Sequence, residues 1–119
     1  MTWSAAKRHC VSLGSLLATI HSREENDFVR TLIPNQTWLG ANDIVSDGIW
    51  VWEDGVEWGR FTPWLSGEPN GGDNEQCLLM RDDFAGERND ESCSNQKHYV
   101  CKKWGLKSSY VMIRDQVTF

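Results

Sequence analysis

This 119-residue chain is predicted to adopt an α+β fold. Three observations point there: two helical patterns near the N-terminus, short strand-like runs from Thr37 onward, and a long glycine- and tryptophan-bearing loop between those runs. The length suits one domain with a real core, yet one small enough to gain from cross-links.

Thr2 reads as the N-cap of a first helix running to about Leu13, with Gly14 as its stop. Trp3, Ala6, Cys10 and Leu13 recur at helical spacing and are expected on one buried face. Ser22-Arg23-Glu24-Glu25 is a capping box that opens a second helix to about Leu32, with Phe28, Val29 and Leu32 as its apolar stripe. Pro34 ends it, because proline disfavours helical geometry in the residue before it. Strands are predicted at Thr37 to Ala41, Trp50 to Trp52, Gln76 to Met80 and His98 to Lys102. The glycine- and proline-punctuated stretch from 53 to 75 is too long to be a passive connection. Trp52, Trp58 and Trp64 within or beside it are expected to anchor it by packing, and Trp38 belongs to the core.

Seven tryptophans supply unusual aromatic volume for this size. A net charge of −5 argues against nucleic acid or anionic membrane as a partner. No apolar run of about 18 residues exists to insert into a membrane. Four cysteines without a C-x-x-C pair favour disulfides over zinc, hence a secreted or extracellular setting, and leave three pairings open.

Chemistry concentrates in Glu68-Pro69-Asn70, Glu75-Gln76-Cys77 and Asn89-Asp90-Glu91-Ser92-Cys93. Glu68, Glu75 and Asp90 offer carboxylates, and Asn70 and Asn89 offer amide carbonyls. Hard cations such as Ca²⁺ take about six to eight oxygen ligands of these types. Five side chains leave coordination positions over, for water or for two hydroxyls of a sugar.

These segments resemble the ligand set of a C-type lectin carbohydrate-recognition domain. Thr2-Trp3-Ser4-Ala5-Ala6 with Cys10, then Trp38-Leu39-Gly40-Ala41, Trp64, Gly67 to Asn70, Cys77, Cys93 and Cys101 carry the likeness over residues 1–103. The resemblance implies a C-type lectin-like fold, with two helices flanking small antiparallel sheets. It also implies Cys10–Cys101 and Cys77–Cys93 disulfides and a cis bond before Pro69. Glu68, Asn70, Glu75, Asn89 and Asp90 are then both the calcium ligands and the sugar-binding residues, and Ca²⁺ is the cofactor. Glu-Pro-Asn implies the mannose, glucose, N-acetylglucosamine and fucose class of glycan. No aromatic platform of the galactose type follows it, since Gly71-Gly72-Asp73-Asn74 comes next. Avidity through oligomers or tandem arrays is expected of such single-site modules.

The likeness breaks at three places. Arg88 stands where the family often has tryptophan before Asn-Asp. Asp43 and Asp47 match two ligands of an auxiliary metal site, but Gly71 and Gln76 replace its other carboxylates. The family's first strand has no counterpart before Thr2, whereas residues 104–119 extend past the family's end with a strand-like Tyr110-Val111-Met112-Ile113. The expectation is a circular permutation, in which 104–119 supplies the first strand of the same domain; the alternatives are an ordinary C-terminal extension and a strand exchanged with a neighbour.

A rival reading takes Glu68 and Glu75, or Asp82 and Asp83, as a glycosidase carboxylate pair. A carboxylate held ionised by a metal is a poor general acid, so the chain is expected not to be an enzyme. A calcium-stabilised domain that binds a protein or other non-sugar ligand is the alternative within the same fold.

Overall fold

A computed structural model describes residues 1–33, 36–64, 67–69, 74–81, 86–104 and 110–114, with backbone only from 104 onward. The chain order is α1 (Trp3–Ser12), β1 (Leu16–Leu17), α2 (Arg23–Arg30), β2 (Thr37–Asn42), β3 (Val51–Trp52), β4 (Cys77–Met80), β5 (Arg88–Glu91), β6 (His98–Trp104) and β7 (Tyr110–Arg114).

Thr2 caps α1 as expected, its hydroxyl accepting from the Ala5 N–H at 3.3 Å. Gly14 follows at φ 72°, a conformation that suits glycine and ends the helix. Trp3, Ala6 and Cys10 are buried, but Leu13 is not. The helix ends at Ser12, so Leu13 leaves the stripe as its C-cap.

In α2 the Ser22 hydroxyl accepts from the Glu25 N–H. The returning arm lands one residue early, with Glu25 Oε1 accepting from the His21 N–H at 2.7 Å. The stripe read from the sequence needs correction here. Val29 is buried, but Phe28 is 48% exposed, and Asn26 is the other fully buried residue of the helix. The helix ends at Arg30, before Leu32 can extend the face, and the Asn26 amide donates across to the Gly86 carbonyl. Pro34 lies outside the described residues.

The strands form one sheet in the order β1-β6-β2-β4-β5, with β3 added to β2 and β7 to β6. The sheet is mixed, since β2 and β6 run parallel while the other pairings are antiparallel. Alternate residues feed two cores. Trp38, Leu79 and Cys101 pack with Trp3 and Cys10 of α1, whereas Leu39, Leu78 and Val100 pack with Val29 of α2 and with the tryptophans. Both faces are covered, so β2 and β4 are buried throughout; β4 reads as a continuous apolar run, and β2 as one between Thr37 and Asn42. At Gly40 a Cβ would collide with the Leu17 carbonyl, so only glycine lets β1 approach β2 there.

Two disulfides form, Cys10–Cys101 across 91 residues and Cys77–Cys93 across 16. The chain-entropy model gives about 3 kcal/mol for the shorter loop and about 4–5 kcal/mol for the longer. Trp3 adds a further tie, its indole N–H donating to the Leu39 carbonyl at 2.9 Å and its backbone N–H to the Cys93 carbonyl at 3.1 Å.

Candidate functional site

Strand β5 is the base of the site. The sequence marks it as a ligand segment only, because Arg-Asn-Asp-Glu has no apolar residue to signal a strand. Pairing supplies what propensity does not. Asp90 lies opposite Leu78 and Asn89 opposite Leu79, and the Cys77–Cys93 disulfide ties β4 to the turn after β5. Glu75 enters two residues before β4, and Glu68 arrives from the long loop, preceding a cis peptide bond to Pro69. A carboxylate oxygen from each of Glu68, Glu75 and Asp90 lies within 4.8 Å of the other two. Asp90 is buried and the glutamates half-buried.

Burial raises the Glu75 pKa above its usual range, and the nearby Asp90 and Glu91 charges raise it further. Next to Asp90, the Asn89 Nδ2 donates to the Asp90 carbonyl at 2.8 Å. The Asn89 Oδ1 is buried with no hydrogen-bond partner. A buried acceptor without a donor is costly. Three converging carboxylates and this orphaned oxygen fit a hard divalent cation and no anionic group. Asn70, the fifth expected ligand, lies outside the described residues.

The second acidic pair is differently furnished. Asp43 is buried, one carboxylate oxygen accepting from the Gly48 N–H at 2.8 Å and the other having no partner. Burial raises its pKa, Gly48 lowers it, and the Asp47 charge raises it again. Asp47 is exposed. The Gln76 carbonyl accepts from the Asp43 N–H but brings no charge, and Gly71 lies outside the described residues. Among the described residues only Glu68, Glu75 and Asp90 form a group of three acidic ligands. Asp82 and Asp83 lie outside the described residues.

The long loop is anchored by indoles, as its composition suggests. Trp52 stacks on Trp58 at 4.9 Å between centroids, and Trp50 meets Trp64 edge-on at 5.2 Å. Its root is held by a polar network that the sequence did not signal. Asp54 Oδ2 accepts from the Thr19 hydroxyl at 2.7 Å and lies 2.7 Å from His21 Nε2. Burial alone would raise the Asp54 pKa, but bonds from His21, Thr19 and the Val56 N–H leave it below the usual aspartate range. Lys102, almost fully buried, donates to the Thr19 carbonyl at 3.0 Å and to Glu25 Oε2 at 2.8 Å. These residues are scattered over the sequence, so no spacing could have grouped them.

Arg88, a long cation in place of a packing residue and expected to affect loop order or to touch ligand, is the other group whose surroundings the sequence does not signal. It is fully buried, and burial lowers its pKa to about 9, which leaves it charged at neutral pH.

Comparison with known proteins supplies the family. The profile described as "Lectin C-type domain" matches residues 1–103. Ladderlectin of Oncorhynchus mykiss is 39% identical over 103 residues, covering 79% of this chain and 53% of its own length. Lectin BRA-3 of Megabalanus rosa is 38% identical over 104 residues, covering 84% of this chain and 64% of its own. The chain thus spans between about half and two thirds of the length of these relatives. A calcium-independent type II antifreeze protein superposes with a TM-score of 0.81 at 29% identity, over 85% of this chain and 77% of that one. The chain belongs to the C-type lectin domain family, whose members are binding domains and not enzymes.

Proposed function

We propose that this domain binds carbohydrate in a calcium-dependent manner, and that its ligands are glycans of the mannose, glucose, N-acetylglucosamine and fucose class. One observation carries the reading: carboxylate oxygens of Glu68, Glu75 and Asp90 converge to within 4.8 Å, and Asn89, the residue before Asp90, has a buried oxygen without a hydrogen-bond partner. Glu68, Asn70, Glu75, Asn89 and Asp90 would hold Ca²⁺. When bound there, the ion supplies a Lewis-acidic centre with positions over for two vicinal hydroxyls. The carboxylates accept the hydroxyl protons, and the amide nitrogens donate to the hydroxyl oxygens. An amide nitrogen carries two hydrogens, so the Asn89 bond to the Asp90 carbonyl leaves one for a sugar.

The relatives named lectins and the two disulfides support an extracellular role. Among the described residues no helix is long and apolar enough to cross a membrane. We read residues 104–119 as part of the same domain, because β7 pairs antiparallel with β6 from Val100 to Trp104. Deleting them strips β6 of that neighbour and should lower the melting temperature by about 4–8 °C per kcal/mol lost. Unchanged melting would make 104–119 a separate tail.

A second reading has its own support. The structural neighbour above is named an antifreeze protein and not a lectin, and Ile44, Val45, Ile49 and Val51 present aliphatic surface here. In that case calcium stabilises the fold here while a non-sugar ligand binds elsewhere on it, a metal role that the calcium-independent neighbour does not share.

Calorimetric titration of mannose and of galactose, with Ca²⁺ and then with EDTA, separates the two. Heat with mannose that EDTA abolishes, and none with galactose, is the expected result. Calcium binding without a response to either sugar favours the second reading.

A further inference from the structure

We infer that Arg88 is a positioning residue for the metal site: its buried guanidinium clamps the first half of the long loop onto β5, directly before Asn89 and Asp90. The inference rests on the calcium reading above and adds how the site is assembled.

An arginine with no exposed surface ordinarily has an acidic partner. Among the described residues Arg88 has no ion pair, and its Nε and Nη1 have no hydrogen-bond partner. Nη2 reaches only the Ile20 carbonyl, at a long 3.4 Å. Ring faces make the direct contacts, while the Glu25 charge favours the cation without pairing with it and Arg23 opposes it. The guanidinium carbon lies 5.2 Å from the centroids of Trp52 and Phe61 and 6.0 Å from that of Trp58. Arg23 of α2 holds the same Phe61 ring, also at 5.2 Å. Desolvated cations over aromatic faces attract most strongly, so the cage both accepts the charge and fixes where it sits.

Position makes this a clamp. Trp58 and Phe61 belong to the loop that carries Glu68, and Trp52 closes the strand from which that loop departs. The main chain of Arg88 grips the same segment. Its N–H donates to the Pro63 carbonyl at 2.9 Å, and a parallel bridge joins it to Trp64. Side chain and backbone thus hold residues 58–64 against the strand bearing Asn89 and Asp90. Glu68 follows Trp64 by four residues, so this grip sets where its carboxylate can go before any cation binds.

The test compares wild type, Arg88→Met and Arg88→Lys. Three readouts are calorimetric calcium affinity, melting in EDTA, and hydrogen exchange of the Val56, Trp64 and Arg88 amides in EDTA. Methionine keeps apolar volume without a buried charge, so melting in EDTA should stay near wild type. Calcium affinity should nevertheless fall about tenfold, roughly the worth of a desolvated cation–π cage. Amide exchange at the three positions should accelerate, and lysine should be intermediate in both respects. Wild-type affinity and exchange in Arg88→Met would overturn the clamp. So would an Arg88→Met that unfolds in EDTA while Arg88→Lys matches wild type in affinity and exchange, since Arg88 would then be only a core residue. If wild type binds no calcium, the metal reading fails, and exchange in EDTA decides the clamp alone: faster in Arg88→Met supports it, unchanged overturns it.

Discussion

Two acidic groupings lie on the same side of the sequence's promise and end differently. Around Asp90, carboxylates from three separate segments meet within 4.8 Å. Around Asp43, one buried carboxylate is already half-satisfied by the Gly48 N–H, and its acidic neighbour Asp47 faces solvent. Both contain a buried oxygen without a donor, on Asn89 and on Asp43. What separates them is the number of charges brought to one point, and that number is set by tertiary structure. The disulfide, the β4–β5 ladder and the aromatic-anchored loop each deliver one part of the first grouping. A two-carboxylate turn has no comparable means of gathering ligands.

The sharpest way to break this contrast is to remove one carboxylate from each grouping. Glu75→Gln or Asp90→Asn should weaken calcium binding by about 100-fold or more, because site affinity follows ligand charge. Asp43→Asn should change it by less than about threefold on the same grounds. A larger effect at Asp43 would make the two groupings one coupled site. Next in size is a change of sugar class. Glu68→Gln with Asn70→Asp should invert the preference of mannose over galactose in competition binding, and retention of mannose preference would refute the roles given to those two side chains.

Acid should act with opposite sign on the metal-free and metal-loaded protein. The raised Glu75 pKa means that the calcium-free fold binds this proton more tightly than the unfolded chain does. Metal-free melting should therefore rise modestly as pH falls from neutral through Glu75's raised pKa toward its ordinary value of 4.5. Asp43 adds in the same direction. Asp54 does the reverse, its contribution holding above the ordinary aspartate value and being lost as pH falls through its lowered pKa. With calcium present the upper window should instead destabilise, since metal ligands must be deprotonated. A metal-free rise that neither Glu75→Gln nor added calcium alters would contradict the assignment. The smallest effect belongs to Lys7→Ala, which breaks a pair with Glu53 at 3.0 Å whose lysine is 44% exposed. It should cost below about 1 kcal/mol by thermal melting and leave calcium affinity unchanged.

The parts legible in the sequence were those whose signal is local. Ser22 and Glu25 announce a helix start, Gly14 a helix end, and Trp38-Leu39-Gly40-Ala41 a strand. The candidate site residues rest on resemblance, and of them the structure brings Glu68, Glu75 and Asp90 together. What escaped was set at long range. Phe28 is apolar at helical spacing, but the face it would join is occupied by Asn26, whose amide has the Gly86 carbonyl to satisfy it. Strand β5 forms from four polar residues because β4 offers it a ladder. Arg88 looked like a lost tryptophan, yet it fills a cage of rings drawn from β3 and the loop. His21, Thr19 and Asp54 meet only once the loop root folds back onto the segment after β1.

The central claim is that Glu75 and Asp90, with their neighbours, form a calcium site that the Asp43 grouping does not. Calcium titration by calorimetry on wild type, Glu75→Gln and Asp43→Asn tests it most directly. The account predicts one class of site in wild type, retained in Asp43→Asn and lost in Glu75→Gln. Binding that survives in Glu75→Gln and disappears in Asp43→Asn would contradict it.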